Sequence, residues 1–204
     1  ALQSVLKYNR HSDFHTHFNH MRAYALGNET AVLMASYPRG NRPARPFPYY
    51  TEVMTGFEYC LAINLIQIGS IRDGLKIVRD IRKRYDGRKR NPFDEAECGH
   101  HYARALASWG LIAALTDFHY SALDQSFKIK SPSQPVKWPW AAAGAWGTIA
   151  LDPHKKVTKA VIELLHGSIT IGRFILSGNA EVRFTQPKNL VAGQIFEIAV
   201  TNSP

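Results

Sequence analysis

Hydrophobic positions along this chain follow a helical period in the first half and an alternating one in the second. In residues 1 to 9, Leu2, Val5 and Leu6 share a face and predict a short helix. The runs MRAYAL and AVLMASY, joined by the turn-rich GNET, predict a short β-hairpin. Residues 38 to 48, PRGNRPARPFP, predict an irregular loop. Thr51 is the N-cap expected for a helix reaching about Ile68, apolar nearly all round and so buried on most sides. Past Gly69 a second helix, Ile71 to Tyr85, carries the stripe Ile71, Leu75, Val78, Ile81 and Tyr85, with Arg and Lys elsewhere. Together they predict a helical hairpin with an inner apolar arm and an outer amphipathic one. A third helix is expected from about Gly99 to Leu115.

After residue 118 the period falls to two. FHYSA, SFKIK, WGTIAL, VTKAVIELL, SITIGRFIL, AEVRFTQ and QIFEIAVT are short β-prone runs divided by Gly, Pro, Asn and Asp, and His166-Gly167 is the expected tight turn between two of them. The pattern gives an α+β chain with a helical part, 1–117, and a β-rich segment, 118–204, expected to pack on it.

With 204 residues and 45% hydrophobic content the chain can bury a core, and it is not compositionally disordered. Cys60 and Cys98 are too few for a disulfide framework, so a reducing, cytoplasmic setting is the default. No run approaches the ~18 apolar residues of a membrane span. The chain starts at Ala1 inside a patterned segment, which reads as a piece of a longer protein.

The net charge of +9 raises a second function class, a nucleic-acid or anionic-surface binder. Nine Lys/Arg against three Asp fall between Arg72 and Arg90, but no aromatic residues interleave to stack bases, and a solvated outer helix explains the run as well. His11, His15, His17, His20 and Asp13 invite a metal reading that no cysteine or second cluster supports, so no metal or cofactor is expected. Trp138, Trp140 and Trp146, or Tyr49-Tyr50, could stack a sugar ring or simply pack. Glu52 and Glu58 lie ~600° apart around a helix and make a poor catalytic pair; a carboxylate as deep as Glu58 calls for a basic partner or a cavity.

The densest polar chemistry lies in residues 94 to 104. Asp94-x-x-Glu97 reads as a capping box. Glu95 and Arg104, nine residues apart at ~100° each, can converge only if Glu95 precedes the helix, and Gly99 allows that break. His101, Arg104 and Ser108 would share a helix face. A carboxylate, a guanidinium and an imidazole in one cleft suit a polyhydroxylated ligand, because hydroxyls both donate and accept. A structural ion pair is the plain alternative.

The strings EVMTGFEY (52–59), GLKIV (74–78), RYDG (84–87), RNPF (90–93) and EAECGHHYAR (95–104) resemble glycoside hydrolase family 116, the bacterial β-glucosidases related to the non-lysosomal glucosylceramidase. The resemblance spans about residues 20 to 110. It implies that the chain holds the last helices of an (α/α)6 toroid, with a retaining mechanism whose glutamate nucleophile and aspartate acid/base lie upstream, so no catalytic residue falls within the chain. Its implied partners are glucose or a β-glucoside and the upstream part of the same enzyme, with no nucleic acid. Glu95 and Arg104 take the positions of the pair that grips the sugar hydroxyls, and His101 stands beside them. Met54 stands where the family often has tryptophan. A non-catalytic carbohydrate-binding or regulatory module is the remaining alternative.

Overall fold

The computed structural model describes residues 1–19, 21–22, 24–96, 100 and 102–202. The chain is α+β and divides into two compact units, Ala1–Leu115 and Thr116–Pro204.

In the first unit, helix α1 spans Leu2–Asn9 and leads into strand β1, Arg10–His11, which pairs antiparallel with β2, Ala31–Val32. No strand forms in the described residues of MRAYAL, so the expected hairpin is replaced by this long-range pair. Within that loop the Glu29 carboxylate instead accepts the Leu26 N–H, and Arg90 binds the same carboxylate. Local turn chemistry is thus captured by a residue 61 positions away. Residues 38–48 form turns without regular structure, as expected.

Helix α2, Thr55–Gln67, starts later than expected: Met54, not Thr51, is its N-cap. The bridge between Leu33 and Val53 holds the preceding backbone extended. Gly69, at φ +87°, ends the turn after α2. Helix α3, Ile71–Arg84, follows as the second arm of the hairpin. Its buried face is Gly74, Ile77, Asp80, Ile81 and Arg84, so the expected stripe is rotated and Leu75 is exposed. Gly74 sets that rotation. A β-carbon there would collide with the Ala62 carbonyl and the Ile66 side chain of α2, so the helices meet where a side chain is missing.

The expected third helix is two elements, a 3-10 helix, Arg104–Trp109, and helix α4, Gly110–Thr116. Gly56 on α2 packs so closely on Arg104 that a β-carbon would lie 2.5 Å from Arg104 Cβ.

The second unit is built around one strand. Its strands are β3 (His119–Ser121), β4 (Ser126–Lys130), β5 (Val136–Ala142), β6 (Ala145–Pro153), β7 (Val157–Ser177), β8 (Ala180–Val191) and β9 (Ile195–Thr201). Strand β7 merges two expected runs, and no turn forms at His166-Gly167. Its first half pairs with β6 and β9, its second half with β4, in parallel, and β8. Inward residues change parity twice, from Ala160, Ile162 and Leu164 to Ile169 and Ile171, then to Phe174 and Leu176. The slips occur at Leu165, skipped between the pairs His166–Trp146 and Leu164–Gly147, and at Gly172, where the N–H groups of Gly172 and Arg173 both donate to the Gln125 carbonyl. Each is a bulge that keeps apolar side chains inward while the strand bends.

Candidate functional site

An open cleft of about 670 Å³ in the first unit is walled by Tyr59 of α2, Val78 and Arg82 of α3, the loop 92–95, Tyr102, and the 3-10 helix with Ser108 and Trp109. Glu95 lies in that loop, outside any helix, which is the condition set for its convergence with Arg104; its partners are instead Tyr59 and Arg82. Its side chain is only 6% exposed. Tyr59 Oη donates to Glu95 Oε1 at 2.8 Å, and Arg82 Nη1 donates to the same oxygen at 2.6 Å. Arg82 Nη2 also donates to the carbonyls of Tyr85 and Pro92, which fastens the loop to α3. Burial, reinforced by the hydrogen bond to Glu95, pushes the Tyr59 phenol well above its ordinary value, so it remains a donor.

Among the described residues, the second oxygen of Glu95, Oε2, is buried and has no hydrogen-bond partner. A buried carboxylate oxygen without a donor is costly, and such groups mark places where a ligand or water completes the shell. The rim around it is aromatic: Phe93 is 96% exposed, Trp109 69% and Tyr102 55%.

Arg104 is not among the residues that line this cleft. Its guanidinium sits 4.6 Å from the Tyr102 ring centroid and 5.6 Å from that of Phe57, and Nη1 reaches the Met54 sulfur at 3.2 Å. The helix arithmetic that put Arg104 and Ser108 on one face assumed an α-helix. In the 3-10 helix, at ~120° per residue, they stand ~120° apart, and Ser108 alone of the two lines the cleft. His101, Glu97, Cys98, Gly99 and His20 lie outside the described residues. The expected capping box Asp94-x-x-Glu97 extends beyond the described residues; Asp94 itself pairs with the ring of His100 at 2.7 Å. Tyr59 and Arg82, which hold Glu95, were not singled out from sequence, although Arg82 borders the apolar stripe of α3 where a long side chain can turn toward a cleft.

The other expected clusters resolve differently. Glu58 meets the basic partner its depth required: Arg84 pairs with one oxygen and the Val32 N–H donates to the other at 2.9 Å. Burial outweighs both contacts and lifts the Glu58 carboxyl to about 7. Glu52, fully buried, is bound by Arg22. His15 pairs with Asp13, and His17 contacts the Thr51 carbonyl. Among the described residues no group of three or more His, Cys, Asp or Glu could hold a metal ion. The tryptophans form no joint platform. Trp140 is buried and Trp138 packs against the same core, whereas Trp146 lies on the outer face of β6, stacked on His166.

No family model matches the chain, and comparison with curated proteins yields no match. Among the described residues no helix is long and apolar enough to cross a membrane.

Proposed function

We propose that this chain is the C-terminal portion of a retaining β-glucosidase similar to glycoside hydrolase family 116, and that its cleft forms the sugar-holding wall of the active site. The observation that carries the reading is the buried Oε2 of Glu95, without a hydrogen-bond partner among the described residues, in a cleft lined by exposed aromatic rings. A pyranose offers a hydroxyl to the carboxylate and an apolar C–H face to the rings, and few other ligand classes offer both. The helical hairpin α2–α3, with a largely buried inner arm and a basic outer one, is the kind of unit from which an (α/α)6 toroid is assembled. On this reading Glu95 binds a sugar hydroxyl, Tyr59 and Arg82 fix its orientation, and Arg104 buttresses Tyr102. His101, expected beside them from helix spacing, lies outside the described residues. Retaining hydrolysis needs two carboxylates about 5 Å apart, and these belong to the upstream part of the enzyme.

Calorimetric titration with glucose and phenyl β-glucoside tests the proposal. Saturable binding that disappears in Glu95→Gln, without hydrolysis by this chain alone, is the expected result. Absence of binding removes the sugar site; robust turnover by the isolated chain removes the assignment of the catalytic pair to an upstream segment.

A further inference from the structure

The basic run divides into two sets once its contacts are known. Arg82, Arg84, Lys89 and Arg90 are tied to Glu95, Glu58 and Glu29 within the unit. Arg72, Lys76, Arg79 and Lys83 are different. All four are exposed on α3, and among the described residues none makes an ion pair. Their spacing of four, three and four residues places them within a ~60° sector of the helix, along about 16 Å of its length. Like charges at these spacings repel and weaken a helix, so the stripe is not explained by the stability of the fold.

Two apolar side chains accompany it. Leu75 lies beside the stripe on the same helix and is 37% exposed; Ile68, 62% exposed, sits at the tip of the hairpin just before α3. The acids on this helix are Asp73, ~100° away from Arg72, and Asp80, which is buried and bound by Arg10. A nucleic acid would gain from the cations but not from the leucine and isoleucine, and helix α3 carries no aromatic ring for bases to stack on. A lipid surface gains from both, since cations meet headgroup phosphates while short apolar side chains enter the interface.

We infer that the exposed face of α3, with Arg72, Lys76, Arg79 and Lys83 flanked by Leu75 and Ile68, seats the protein on an anionic lipid surface. This does not rest on the glucosidase reading, because none of these residues lines the cleft. Binding is peripheral, reversible and weakened by salt.

Co-sedimentation with phosphatidylcholine vesicles containing about a third phosphatidylglycerol tests the inference, against phosphatidylcholine alone and at low and high salt. Expected is binding to the anionic vesicles only, reduced about fivefold for each cation neutralised among Arg72→Gln, Lys76→Gln, Arg79→Gln and Lys83→Gln. Leu75→Ser lowers it further, and the exposed pair Lys155→Gln with Lys156→Gln, in the other unit, leaves it intact. The double variant R72Q with K83Q serves where the quadruple one fails to fold. Failure to sediment with anionic vesicles overturns the inference, as does an equal loss in the Lys155/Lys156 control. Tighter binding to a duplex DNA probe, with the same dependence on the four cations, also overturns it and marks the face as a nucleic-acid contact.

Discussion

Arg84 and Glu58 form a fully buried ion pair joining α3 to α2, with side-chain exposures of 1% and 2%. Arg84 also donates to the Thr30 carbonyl at 2.6 Å, so three segments meet on one guanidinium. The pair specifies how the hairpin docks on β2 more than it stabilises it, because both charges have left water.

The sign of its pH dependence follows. Glu58 has a folded value of about 7, above its ordinary 4.5, so the folded state binds the extra proton. The stability this contributes is full below 4.5 and is lost as pH rises through about 7. Glu58→Gln should match the wild type near the lower pH and exceed it above the higher one by a few kcal/mol, read from urea unfolding across pH. Identical pH profiles for the two proteins would sink this. Arg84→Met, by contrast, leaves the Thr30 carbonyl and Glu58 buried without their donor and should cost about 3–5 kcal/mol at neutral pH.

Tyr59→Phe removes one of the two donors on Glu95 Oε1 and leaves Arg82. A loss of about 1–2 kcal/mol is expected in thermal unfolding, together with weaker binding of phenyl β-glucoside by calorimetry. If stability falls and affinity does not, Tyr59 supports the loop without orienting the carboxylate toward a ligand.

Gly56→Ala has no room. The new methyl would meet Arg104 Cβ and its carbonyl, so the 3-10 helix must move away from α2. The expected cost is about 1–3 kcal/mol, and the fluorescence of Trp109 should change with it. An unchanged melting temperature would show that the segment shifts freely.

Gly167→Ala and Gly178→Ala compare strain with crowding. Both glycines have positive φ, +78° and +74°. A β-carbon at Gly167 would overlap the Gly144 carbonyl, whereas at Gly178 it meets nothing within 4 Å. Gly178→Ala should cost about 1 kcal/mol, the backbone penalty alone. Gly167→Ala should cost clearly more in the same urea titration; equal losses would mean that the backbone at Gly144 yields.

What the sequence showed clearly was periodic and local. The stripe of α3 and the apolar run of α2 gave both helices, because burial of one face writes itself into spacing. The alternation in SITIGRFIL likewise gave a strand. The failures have a common cause in long-range partners. β2 finds β1 across the loop instead of its expected hairpin mate. His166-Gly167 has turn composition, but both residues pair with β6 inside a continuous strand, just past the bulge at Leu165. β5 went unrecognised because it contains Pro139, which an edge strand tolerates and a central one would not. At the site, Glu95 was legible as a loop acid. Its partners Tyr59 and Arg82 were not, since they arrive from two helices whose relative rotation is set by Gly74.

Strand β7 has one more implication. β4, β6, β8 and β9 all bond to it directly, and β3 and β5 hang from β4 and β6. Neither half of the β unit therefore owns a sheet that could survive the other's loss. The unit should open as a single cooperative block. In native-state hydrogen exchange, β7 amides on both sides of Gly167 should share one opening free energy, while β3 and β5 fray ahead of them.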